Sequence, residues 1–96
     1  IQDYAIFLLN PEGIVLTWNQ GGEQLCGYQA DAIIGKSFEC FYEPEARAQG
    51  KPQAILTVAK TEGHANTDSW RIRHDGSRFW ANVVITPLHE KETLIG

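Results

Sequence analysis

The side chains of this chain that could do chemistry are few and scattered: Cys26 and Cys40, His64, His74 and His89, and a Gly21-Gly22-Glu23 run. The cysteines make no Cys-x-x-Cys pair and a poor disulfide framework, so they read as buried reduced thiols. No two histidines stand at helical i, i+4 spacing and no Cys/His cluster forms, so no metal site is expected. A phosphate cradle wants amides converging at a helix start. Neither G-x-x-x-x-G-K-[ST] nor G-x-G-x-x-G is present. No nucleophile elbow precedes a serine. Asp31, Glu39, Glu43 and Glu45 read as a solvated surface. The domain itself is therefore read as non-catalytic.

The elements that must position these residues begin with the bulk numbers. The chain has 96 residues, 43% of them apolar, which suits one packed domain over 1–96. The formal net charge is −4 with no basic run, which argues against nucleic acid as a partner. No apolar stretch approaches the roughly 18 residues of a membrane span, and no signal peptide is visible. The chain starts at Ile1, so we read it as a piece excised from a longer multidomain protein. The domain is expected to be cytoplasmic, with a membrane anchor elsewhere left open.

Tyr4 to Leu9 and Ile14 to Trp18 read as two strands of a hairpin around Asn10-Pro11-Glu12-Gly13. Asn19 suits a helix N-cap, followed by a helix Gln20 to Cys26 stopped by Gly27. Ala30 to Ile34 repeats the device with Gly35, and a third piece covers Ser37 to Tyr42 before Pro44. Pro52 suits the first turn of a further helix, with Ile55, Val58, Ala59 and Glu62 on one face and Gly63 at its end. Two alternating runs flank Asp75-Gly76, a strong hairpin signal. Glu92 to Gly96 reads as the start of a fifth strand. Strands at both ends with helices between them indicate an α+β fold, an antiparallel sheet with helices on one face.

On "IFLLNPEGIVLTWN", "CGYQADAIIGKSF" and "RHDGSRFWANVVITPL" the chain resembles a PAS domain over nearly its whole length. The resemblance implies a five-stranded sheet of order 2-1-5-4-3, with the last strand truncated. It also implies a sensory module that regulates an attached output domain. The output expected first is a bacterial histidine kinase, as in two-component systems, and second a diguanylate cyclase or phosphodiesterase. A ligand-free PAS module for interaction and dimerisation is the other reading. Gly-Gly-Glu is shared with cyclase loops, but Gln24-Leu25 follows it here and the PAS match covers it with a helix.

The family's cofactors can be tested residue by residue. LOV-type light sensors carry a reactive cysteine at the position of Phe38, and Cys40 falls two residues too late. The asparagine they hold against flavin corresponds to Ala81. Haem-binding members carry a histidine on the helix between Pro44 and Gly63, where there is none. No cofactor is therefore expected; a LOV adduct and haem are read against, and noncovalent flavin stays open.

In the strand after Asp75-Gly76, Phe79, Ala81, Val83 and Ile85 share one face, and Trp80, Asn82, Val84 and Thr86 the other. The resemblance turns the first face toward the helices and any pocket. The parity of residues 68–74 stays open. A two-residue turn puts Trp70 and Ile72 inward, whereas an odd loop puts Arg71 inward and leaves Trp70, Ile72 and Trp80 outside. The family alignment favours the odd loop. The candidate pocket lining is then Phe38, Phe41, Arg71, Ala81, Val83 and Ile85, with Arg71 able to hold a small anionic ligand. The candidate interface is Trp70, Ile72, Trp80 and Val84, covered by a second copy of the chain or by flanking helices.

Overall fold

The computed structural model describes residues 4–90 and 93–94. After an extended N-terminal segment, Asn19 caps α1 (Gln20–Cys26), its Oδ1 accepting from the Gly22 amide at 2.9 Å. Gly27 ends the helix at φ 81°, a left-handed conformation that costs a residue without Cβ nothing. A short α2 (Ala30–Ile33), a 3₁₀ turn (Phe38–Phe41) and α3 (Pro44–Ala48) follow, then α4 (Lys51–Glu62). The fourth helical piece, α3, starts at Pro44, whose missing amide is not needed in a first turn. In α4 the inward stripe is Pro52, Ile55, Leu56 and Ala59. The expected stripe of Ile55, Val58, Ala59 and Glu62 is corrected, since Val58 and Glu62 are exposed.

The expected N-terminal hairpin is present with less ladder than two strands would give. Leu9 and Val15 form a single antiparallel bridge, and Leu16 N–H donates to the Leu8 carbonyl at 2.8 Å. Toward the chain start, side chains take over as acceptors. Thr17 Oγ1 receives the Leu8 amide and Asn19 Oδ1 the Ile6 amide, so the pairing stops there. On its other edge the second segment pairs with 35–38 through the Ile14–Ser37 bridge.

The C-terminal hairpin is regular. β1 (Ala65–Ile72) pairs antiparallel with β2 (Arg78–Ile85), with Arg71 opposite Phe79 and Trp70 opposite Trp80. Arg73 and Ser77 close a three-residue loop through Arg73 N–H to the Ser77 carbonyl at 2.8 Å. The loop is odd, which answers the parity question. Burial of apolar side chains loses here to the turn geometry around Asp75, whose carboxylate accepts from the Ser77 amide and hydroxyl. Burial fixes the rest: Val15, Cys26, Ile33, Phe38, Phe41 and Tyr42 form the core under the helices.

Between residues 4–11 and β2 a cleft of about 940 Å³ opens, at the place where the order 2-1-5-4-3 puts a fifth strand. Thr93–Leu94 is extended as expected, yet it pairs with His89–Glu90 in a two-residue ladder, β4 on β3. Glu92, Ile95 and Gly96 of the expected strand lie outside the described residues.

Candidate functional site

The cleft runs inward from the open sheet to the core beneath the helices. Its walls include Phe38, Phe41, Tyr42 and Leu56 from the helical half, and Arg71, Phe79, Ala81, Val83 and Ile85 from the hairpin. All six residues expected to line a pocket therefore do so. They differ in role. Phe41 is packed among aromatic rings, with centroids 5.6 Å from Phe7, 5.5 Å from Trp18 and 5.8 Å from Tyr28. Phe38 stands edge-on to Tyr42 at 5.8 Å. Ala81, Val83 and Ile85 are half-buried along β2.

Arg71 is the polar centre of this space. Only 6% of it is exposed. One nitrogen, Nη2, donates to Tyr42 Oη at 2.9 Å, and Nη1 donates to Ser69 Oγ and to the Trp70 carbonyl at 3.3 Å. The guanidinium carbon lies 3.9 Å from the Tyr42 ring centroid, so the two planar groups also stack. Burial pulls the Arg71 pKa below its ordinary value, and the Tyr42 phenol opposes that pull. Burial likewise raises Tyr42, against the neighbouring guanidinium. The side chain stays cationic at neutral pH. Tyr42 and Ser69 were not among the expected site residues. No local spacing announces the Tyr42 contact, because 29 residues separate it from Arg71. The alternation of β1 does put Ser69 on the Arg71 face.

The outer face of the hairpin carries the expected interface residues. Trp70 and Trp80 meet edge to face at 5.2 Å, and Arg78 lies over the Trp70 ring at 4.2 Å. Trp80 is 59% and Val84 60% exposed, while Ile72 is half-buried opposite Arg78. Asn82 donates to Asn66 and Asp68 across the same face.

The cysteines and the described histidines stand elsewhere, away from Arg71. Burial raises Cys26 to about 11, and it raises Cys40 as well. Neither is a ready nucleophile, since the thiolate is the reactive form. His74 stacks on Tyr28 at 4.5 Å in the hairpin loop, and His64 is exposed beside α4. Among the described residues no His/Cys/Asp/Glu group could hold a metal ion. No described helix is long and apolar enough to cross a membrane.

Comparison with known proteins agrees with this geometry. Residues 3–96 match the family described as PAS domain. Two-component system protein A of Emericella nidulans is 51% identical over 90 residues, 94% of this chain, and the chain spans only 13% of that protein. A PAS domain from Colwellia psychrerythraea superposes with a TM-score of 0.87 at 22% identity, covering 96% of this chain and 78% of that one. The PAS domain of a LuxR-family transcriptional regulator from Burkholderia thailandensis, solved in complex with ethanol, gives 0.77 at 21% identity, over 95% and 80%.

Proposed function

This chain belongs to the PAS domain family, and from that premise we propose that it is the sensory module of a two-component histidine kinase, setting the activity of a covalently attached output domain. The observation that carries this reading is the 51% identity with two-component system protein A. The module does no chemistry itself. It biases an equilibrium between two states of its sheet, and a ligand can do so only by binding the two states unequally. The shift passes to the flanking segments and to a second copy of the chain on the Trp70–Trp80 face. A large apolar face on a sheet needs such a cover.

The full-length protein carrying this chain tests the proposal. With ATP it should incorporate phosphate at a histidine, seen as acid-labile, alkali-stable label. Removing the 96 residues should change the initial rate by about fivefold or more. No acid-labile label, or a rate indifferent to the deletion, overturns the reading.

A second reading, a module that binds partners and no ligand, rests on one observation. The rings of Phe7, Trp18, Tyr28 and Phe41 already fill the helical half of the core.

A further inference from the structure

We propose that α1 is a conformational link between the N-terminal segment and the β1–β2 loop, a helix too weak to stand alone that forms only while Asn19 holds its start and Arg73 and His74 hold its end. The link gives the sensory reading a route to the N-terminal side of the chain, yet its existence does not depend on that reading.

Weakness of the helix is the first ground. α1 has seven residues, Gln-Gly-Gly-Glu-Gln-Leu-Cys, two of them glycine. Isolated helices shorter than about 12–15 residues are marginal in water, and glycine is the poorest helix former after proline. Better formers do not fit at the two glycines. A Cβ at Gly21 would meet the Tyr4 carbonyl, and one at Gly22 would meet the Trp18 ring. The helix therefore draws its stability from what holds it.

The clamps at its two ends are the second ground. Asn19 Oδ1 accepts from the Gly22 amide at 2.9 Å, which caps α1, and from the Ile6 amide at 2.9 Å. Asn19 Nδ2 donates to the Tyr4 carbonyl at 2.8 Å. At the other end the carbonyls that a helix leaves unpaired go to the hairpin loop. Arg73 Nε donates to the Leu25 carbonyl at 3.0 Å, and the His74 amide donates to the Cys26 carbonyl at 2.9 Å. His74 also stacks on Tyr28 at 4.5 Å, just past the Gly27 stop. Among the described residues no hydrogen bond joins 4–8 to 73–77 directly.

Seven helical residues separate the clamps by about 10 Å. Contacts that far apart usually act independently unless they share a partner. Here the shared partner is the helix. Loss of either clamp opens α1 and releases the segment held at its far end. α1 is thus the two-state element that both ends bias. Such coupling is reciprocal, so loosening the loop frees the N-terminal segment and loosening the segment frees the loop.

Amide hydrogen exchange of the ¹⁵N-labelled chain, followed by NMR, tests the link. Arg73→Ala takes the guanidinium away from Leu25. It should speed exchange at the Gly22 and Ile6 amides at least about fivefold more than at Ala59 in α4. Asn19→Ala uncaps the helix and should speed the His74 amide, relative to Ala59, by a similar factor. Asn19→Asp still caps α1 and loses only the bond to Tyr4, so the His74 amide should stay within about twofold of the starting protein. Acceleration confined to the altered end, equal acceleration at Ala59, or a His74 amide that responds alike to Asn19→Ala and Asn19→Asp would each overturn the link. If Arg73→Ala does not fold, the two Asn19 variants decide. A failed kinase assay leaves the exchange result standing, and absent coupling leaves the kinase reading standing.

Discussion

Phe41 and Arg71 line the same cleft and are held on opposite terms. Phe41 is buried among three rings and makes its contribution by dispersion and loss of apolar surface to water. Arg71 is just as buried, yet it brings a charge that the described residues do not neutralise. The aromatic side of the cleft is a place for stability. The guanidinium side gives up stability for a recognisable group, the usual mark of a site. The comparison breaks if substitutions on the two sides cost alike.

Phe41→Ala should give the largest loss, about 3–5 kcal/mol, because it leaves a cavity bounded by rings that cannot collapse together. Urea titration of the two proteins reads this directly. A loss below about 1 kcal/mol would mean the ring cluster contributes little.

Gly21→Ala sharpens the same contrast at a position where propensity and packing disagree. Alanine favours helix over glycine by about 1 kcal/mol. Here an added Cβ would run into the Tyr4 carbonyl oxygen, which Asn19 Nδ2 holds by a 2.8 Å hydrogen bond. We expect a net loss of about 1–3 kcal/mol, as overpacking costs. A gain would show that the N-terminal segment is free to move away from α1.

That clash also marks the limit of what was legible in the sequence. Helix stops are local, so Gly27 and Gly63 could be read from spacing alone, and both take left-handed backbone. The N-cap at Asn19 was legible for the same reason. Its further hydrogen bonds to Ile6 and Tyr4 were not, because they join segments 13 and 15 residues apart. They also explain why the first hairpin carries one bridge where a ladder was expected. In the pocket, inward alternation of β2 was legible, but the parity of β1 depended on a loop length that residue types leave undecided. Tyr42 was invisible as a partner of Arg71, since nothing in local periodicity encodes a contact across the cleft.

Alkaline pH probes the sealed side without mutation. Burial raises Cys26 from 9.0 to about 11 in the folded chain. Below pH 9 the thiol is protonated in both states and contributes no slope. From pH 9 toward about 11 the unfolded chain releases the proton first, so stability falls as pH rises. The loss should be on the order of 1–2 kcal/mol. Urea midpoints measured below pH 9 and near pH 10.5 should separate for the unaltered chain and separate less for Cys26→Ala, the remainder belonging to Cys40 and Tyr42, which burial also raises. Equal separation in both would place the alkaline sensitivity elsewhere.

On the guanidinium side the expected change in stability is small, and its sign is informative. Replacing both partners, Arg71→Met with Tyr42→Phe, removes charge, phenol and their hydrogen bond while keeping volume. Such exchanges are near neutral or stabilising. The midpoint should stay within about 1 kcal/mol of the starting protein. A loss comparable to that of Phe41→Ala would make Arg71 a structural residue and erase the contrast.

Trp80 completes the comparison, because it is the same kind of residue as Trp18 in the opposite setting. Trp18 is half-buried and stacks on Phe41 at 5.5 Å, whereas Trp80 is 59% exposed and touches Trp70 edge to face. An aromatic pair of that geometry is worth about 0.5–1.5 kcal/mol. Exposure leaves little area term to add. Trp80→Ala should therefore lower the stability of the isolated monomer by about 1 kcal/mol or less. If the outer face is covered by a second copy, the same substitution should move sedimentation velocity profiles toward monomer at concentrations where the starting protein associates. The two readouts separate the roles of the faces. A large stability loss with unchanged association would make Trp80 part of the fold, and a small loss with weakened association would make the sheet exterior the surface through which this domain meets its partner copy.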